Sequence, residues 1–239
     1  MKTKGKKLGT IDTRVLKLAF VHTIPVMTGY LFLGIAFGIL LSTKGYHAGW
    51  AVLMSVCIYA GAMQFVAINL LTSVFNPLLA FLMTLMVNAR HLFYGLSMLE
   101  VFRDMGRKKP YMIFSLTDET FSLLCLAKIP EDIDKNRFVF SVALLDHFYW
   151  ITGSAIGGLV GSVFSFDTRG IDFAMTALFV VIFVEQWKNN KNHLPAIIGL
   201  CGSVLCLAVF GPVNFILPSM AVILFIITAC RKPMERGNV

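Results

Sequence analysis

The residues able to do chemistry fall in four clusters. The densest is Asn88-Ala89-Arg90-His91, followed by Tyr94. On a helix Asn88 and His91 share one face, and Arg90 and Tyr94 share a neighbouring one. Arginine keeps its charge and forks onto carboxylates, so Arg90 is a candidate to hold the carboxyl group of a substrate or an acidic side chain. Histidine titrates near neutral pH, which makes His91 a candidate proton carrier. The plainer alternative is a bilayer-edge position, with Arg90 reaching to lipid headgroups.

The second cluster is Thr117-Asp118-Glu119-Thr120, between Phe114 and Phe121. Two carboxylates in an apolar stretch need a proton or a cation to be tolerated, which suits proton binding or a salt bridge to Arg90. Adjacent positions differ by about 100° around a helix, so Asp118 and Glu119 face different ways. An amphipathic surface helix with its acids in water is the alternative. The third cluster pairs Gln64 with Glu185-Gln186; a glutamine amide donates and accepts at once, as an amino-acid ligand requires, while Glu185 suits the membrane edge beside Trp187. The fourth, Asp146-His147 with Tyr149 and Trp150, is either pore-facing or interfacial.

These clusters sit in a strongly apolar chain. Of 239 residues 57% are hydrophobic and 14% charged, and the mean hydropathy is +0.76. A soluble domain carries about a quarter charged residues, so this is an integral membrane protein. The net charge of +8 comes from basic residues at the ends of apolar runs, where they set orientation and meet anionic lipid; nucleic acid is excluded as a partner. The five cysteines lie in or at the end of apolar runs without metal-site spacing and read as small buried hydrophobes. No P-loop and no nucleophile elbow is visible, so no enzyme activity, metal or cofactor is expected.

A helix crossing a hydrocarbon core about 30 Å thick needs roughly 20 apolar residues. Such runs cover 16–41, 50–75, 77–102, 138–164, 171–187, 194–210 and 213–230, with 111–127 as a polar eighth. The first run is read as a retained helix, kinked or broken at Pro25, because it is longer than a signal core and no cleavage pattern follows. Basic residues in the amino-terminal arm, around Lys188 and in the tail favour the cytoplasm. If 111–127 spans, Arg103 to Lys109 fall outside; if it dips in and returns, the amino-terminal arm is misplaced.

An internal repeat is suggested by Gly34 and Gly38 before Gln64, and by Gly153, Gly157 and Gly161 before Gln186. Glycines four apart form a smooth ridge on which a second helix can pack closely, so these five are read as packing residues. The expected organisation is a basic cytoplasmic arm (1–15), one transmembrane domain (16–230) and a short tail (231–239). Within that domain, repeat one covers about 16–102, the polar membrane segment 111–127 and repeat two about 138–230. The fold class is all-α, polytopic, with about seven or eight membrane segments.

The chain resembles the AzlC family, the large subunit of bacterial branched-chain amino-acid exporters. The resemblance is carried by Tyr59-Ala60-Gly61-Ala62-Met63-Gln64-Phe65, Asn88-Ala89-Arg90-His91-Leu92-Phe93-Tyr94-Gly95, Thr117-Asp118-Glu119-Thr120-Phe121, Trp150 with Gly153 and Gly157, and Gly170-Ile171-Asp172-Phe173-Ala174. It implies a multi-pass inner-membrane exporter of leucine, isoleucine, valine and analogues, sometimes methionine, acting with a small AzlD-type membrane subunit. By similarity Gln64, Asn88, Arg90, His91, Asp118 and Glu119 fall on motif positions. On this reading transport is proton-driven; Gln64, Asn88, Arg90 and Gln186 bind substrate, and His91, Asp118 and Glu119 are the candidates for the coupling proton. A transporter of another small solute and a non-transporting assembly or regulatory subunit are the rivals.

Overall fold

A computed structural model describes residues 13–74, 76–127, 129–164 and 192–229, with single positions between 173 and 188. The described residues form α-helices and one short 3-10 turn, Gly106–Lys108. In chain order the helices are α1 (Thr13–Thr43), α2 (Ala48–Cys57), α3 (Gly61–Thr72), α4 (Pro77–Ser97), α5 (Lys109–Phe114), α6 (Asp118–Leu126), α7 (Lys135–Val163), α8 (Leu194–Asn214) and α9 (Ile216–Ala229). Among the described residues four stretches are long and apolar enough to cross a membrane: α1, α4, α7 and Leu194–Gly211 of α8.

The sequence run 50–75 is broken in two, as α2 and α3, and the run 111–127 as α5 and α6. Helix α1, in contrast, continues through Pro25. The expected segment 171–187, with Glu185 and Gln186, lies outside the described elements, and with it the part of the second repeat that was matched to Gln64.

Local signals set several helix starts. Asn76 caps α4, its side chain accepting from the Leu79 N–H, with Pro77 in the first turn where its missing donor costs nothing. Asp134 caps α7 in the same way through the Arg137 N–H. Large apolar side chains such as Phe32, Phe81, Leu92, Leu96 and Phe148 lie well exposed, an outward face that lipid accommodates and water does not.

The chain divides into two compact units, 1–175 and 176–239. In the second, α8 packs on α9, with Gly202 against Ile223, and Gly211 (φ 71°) breaks the end of α8. The first unit is organised on the crossing of α1 and α7. Gly34 faces the Gly153–Ser154 backbone, and a Cβ there would come within 3.0 Å of the Ser154 nitrogen. One added at Gly153 would lie 2.9 Å from the Leu31 carbonyl oxygen, and one at Gly161 2.9 Å from the Ser42 Cβ. Gly38 meets Gly157 and Gly158, and Gly157 meets the Ile35 carbonyl, so both crossings leave no room for a side chain. Around this seam pack Tyr30, Phe37, Leu41, Phe65, Tyr149 and Trp150. A second cluster, with Val15, Phe102, Met112, Phe138 and Val142, ties α5 and the 98–105 turns to the start of α7.

Gly157→Ala should therefore separate the two helices and lower stability by about 1–3 kcal/mol, whereas Gly29→Ala, which meets nothing within 4 Å, should not. Thermal unfolding of the detergent-solubilised variants, followed by size-exclusion, checks this; equal melting would remove the crossing as the main brace.

Candidate functional site

Stopping a helix inside an apolar environment exposes backbone groups that need partners. At the α2–α3 break Tyr59 takes φ 44°, a left-handed conformation that costs a bulky residue on the order of 1–3 kcal/mol. Its N–H reaches back to the Met54 carbonyl, which leaves the Ser55 carbonyl outside the helical ladder. His147 of α7 supplies the missing donor: its Nε2 lies 3.1 Å from that carbonyl oxygen. A carbonyl only accepts, so Nε2 carries the proton and Nδ1 accepts from the Tyr111 hydroxyl at 3.0 Å. The Tyr59 ring stacks on the same imidazole at 4.1 Å.

One turn along α7, the Trp150 indole N–H donates to Gln64 Oε1 at 2.8 Å, and Gln64 Nε2 donates to Ser55 Oγ at 3.3 Å. Gln64 is wholly buried and thus clamps the two half-helices to α7. Trp150 lies over Gly61, where a Cβ would come within 3.0 Å of the indole.

The α5–α6 break carries the charges. Thr117 caps α6, its hydroxyl accepting from the Thr120 N–H, which puts Asp118 and Glu119 in the first turn where the helix dipole favours negative charge. The two carboxylates then part. Asp118 Oδ2 meets Arg90 Nη2 of α4 at 2.7 Å, with the side chains 15% and 29% exposed. Glu119 Oε2 meets the Tyr30 hydroxyl of α1 at 2.8 Å. From Tyr30 the contacts continue to Thr117 Oγ1 (2.6 Å), then to Thr120 Oγ1 (3.0 Å) and to Asp146 Oδ2 of α7 (2.7 Å). Asp146 is fully buried. Arg90 Nε, Asp118 Oδ1 and Asp146 Oδ1 are buried atoms without a hydrogen-bond partner among the described residues.

Of the residues singled out from sequence, the structure joins Arg90 to Asp118 and sets Glu119 beside them. Asn88 and His91 are half-buried on α4, His91 Nδ1 donating to the Asn88 carbonyl at 3.2 Å. Gln64 belongs to the clamp across α2 and α3, and Gln186 lies outside the described residues. Sequence reasoning did not find Tyr30, Tyr59 or Thr120 as a set, and it noted Asp146 without a role. The available signal for Asp146 was a lone carboxylate amid the apolar residues of a 29-residue helix. Among the described residues no group of three or more His, Cys, Asp or Glu could hold a metal ion.

The family described as AzlC protein matches residues 25–164. The branched-chain amino acid transport protein AzlC of Bacillus subtilis is 52% identical over 92% of this chain and 87% of its own. An uncharacterized membrane protein of Helicobacter pylori strain J99 is 46% identical over 93% of this chain and 97% of its own. Inner membrane protein YgaZ of Escherichia coli is 25% identical over 79% of this chain and 80% of its own. No solved structure matches. The chain is a multi-pass membrane protein and belongs to the AzlC family.

Proposed function

We propose that this chain is the transporting subunit of a proton-driven exporter of branched-chain amino acids in the bacterial inner membrane, working with a small AzlD-type subunit. The observation that carries the reading is the Arg90–Asp118 pair at a helix break, with Arg90 Nε and Asp118 Oδ1 both unspent. An amino acid is a zwitterion. Its carboxylate can take the guanidinium fork while its ammonium takes the Asp118 carboxylate, so substrate enters by exchanging one neutral pairing for two. The empty site stays neutral because the pair closes on itself, which suits a carrier that must return unloaded.

Asn88 adds an amide to the face of α4 that it shares with His91, and His91, with Nδ1 spent on the backbone, offers Nε2 as a proton acceptor. Apolar walls would receive the aliphatic side chain, and such walls discriminate weakly between chains a methylene apart, which fits leucine, isoleucine and valine alike. Helices α2 and α3, of 10 and 12 residues, would each reach about halfway across the bilayer. Together they would make one interrupted span, as half-helices do at transporter midplanes. Transport rather than catalysis is the activity these parts support; the outward direction rests on the family resemblance.

The test is efflux of labelled leucine from cells loaded with a leucine dipeptide, with and without the small partner. Arg90→Ala at equal membrane abundance should bring efflux to background, and Arg90→Lys, which keeps charge but loses the fork, should retain part of it. Wild-type efflux in Arg90→Ala would remove the carboxylate role; no efflux in any sample containing both proteins would shift the reading to another solute or to an assembly role. The pair itself is checked by a thermal double-mutant cycle. Arg90→Ala and Asp118→Ala should be non-additive by about 1 kcal/mol, and additive losses would show no direct coupling.

A further inference from the structure

We propose that Glu119 and Asp146 hold one proton between them and pass it along the hydroxyls of Tyr30, Thr117 and Thr120. This rests on the reading of the chain as a proton-driven carrier, and it places the coupling proton one residue away from the substrate pair, on groups that Arg90 does not occupy.

The argument is a count of hydrogens. Four contacts join the two carboxyls in series: Glu119 to Tyr30, Tyr30 to Thr117, Thr117 to Thr120, and Thr120 to Asp146. Each contact needs one hydrogen, and the three hydroxyls supply one apiece. The fourth must come from a carboxyl. If Asp146 is ionised, Thr120 donates to it, Thr117 to Thr120 and Tyr30 to Thr117, so the contact with Tyr30 is completed by the proton of Glu119. If Glu119 is ionised, every donor turns round and the proton sits on Asp146. The second state follows from the first when Glu119 gives its proton to the Tyr30 oxygen, Tyr30 its own to Thr117, Thr117 to Thr120 and Thr120 to Asp146; one proton moves and no charge is created. With both carboxyls ionised one contact has no hydrogen, and with both protonated one has two.

Burial gives the chain a direction. Glu119, beside Asp118, is only half-buried, while Thr120 and Asp146 are wholly enclosed. Neither Glu119 nor Asp146 has a salt-bridging cation among the described residues, the nearby Arg90 being paired with Asp118. Asp146 Oδ1 has no donor among the described residues, so a proton is what relieves the cost of a charge there. The other titratable groups around it are engaged or neutral: His147 is held by the Ser55 carbonyl and Tyr111, Asp118 by Arg90, and Tyr59 and Tyr149 are phenols.

The experiment has a spectroscopic arm and a transport arm. Infrared spectra of the purified wild-type protein at neutral pH should show the C=O stretch of one protonated carboxyl. The band should vanish in Glu119→Gln/Asp146→Asn and shift in Thr120→Val and Tyr30→Phe, which keep both acids and cut the chain. No such band in the wild type, or an unchanged band in the double variant or, should that not fold, in both single variants, would overturn the proposal. In proteoliposomes Asp146→Asn should lose the acceleration of leucine uptake by an imposed pH gradient while keeping leucine-for-leucine exchange. Gradient response at the wild-type level, or loss of exchange together with the response, would overturn it. Absence of leucine exchange in the wild type would count against the substrate reading alone, since the infrared band does not depend on substrate.

Discussion

Where α1 crosses α7, the carbonyl of Ile35 occupies the space in which a side chain on Gly157 would begin, and Gly38 is pressed against Gly157 and Gly158. Between helices in lipid there is no hydrophobic force to pull them together, so association rests on such close backbone packing. This contact fixes the two registers that matter. Tyr30 sits one turn before Gly34 on α1, and Asp146, His147 and Trp150 sit just before Gly153 on α7. A shift of the crossing by one turn would carry Tyr30 away from α6 and Trp150 away from Gln64.

From that brace α7 services both interrupted helices. Its Trp150 and His147 hold the α2–α3 break, one through the Gln64 side chain and one through a freed carbonyl, and its Asp146 closes the chain that begins at the α5–α6 break. Irregular backbone at membrane depth is tolerated only when its polar groups are satisfied within the protein. Here a single face of one helix satisfies two breaks, and the strained Tyr59 is kept in place by stacking on the imidazole that does so.

The sequence disclosed much of this but not its wiring. Membrane class followed from composition, the Arg90 and Asp118 clusters from the cost of charge in apolar runs, and the divergence of Asp118 and Glu119 from the helical angle between neighbours. The glycine ridges were visible as spacing, although only the structure shows that those of α1 and α7 face each other. The two breaks were not legible in hydropathy: no proline interrupts 50–75 or 111–127, and at the first the lost backbone partner is replaced by a side chain 92 positions away, His147 serving Ser55. The partners of Gln64 were hidden for the same reason. A glutamine in an apolar run can serve a substrate or a tryptophan, and the choice depends on a tertiary neighbour.

Helix α6 ties the two proposed sites together. Its first turn bears Asp118, engaged with α4, and Glu119, engaged with α1, one peptide bond apart. A movement of this turn towards Arg90 to follow a substrate ammonium must also alter the Tyr30–Glu119 contact, and a change in where the proton sits must alter the force on that turn. Linkage makes the two effects equal in free energy, whichever ligand arrives first. Two carboxyl groups on adjacent residues, facing different helices and anchored at a helix break, are thus a compact way to make loading of a zwitterion depend on a proton without placing both on the same atoms. The short helix, capped by Thr117, carries this coupling to both helices of the brace, to α1 through Tyr30 and to α7 through Asp146.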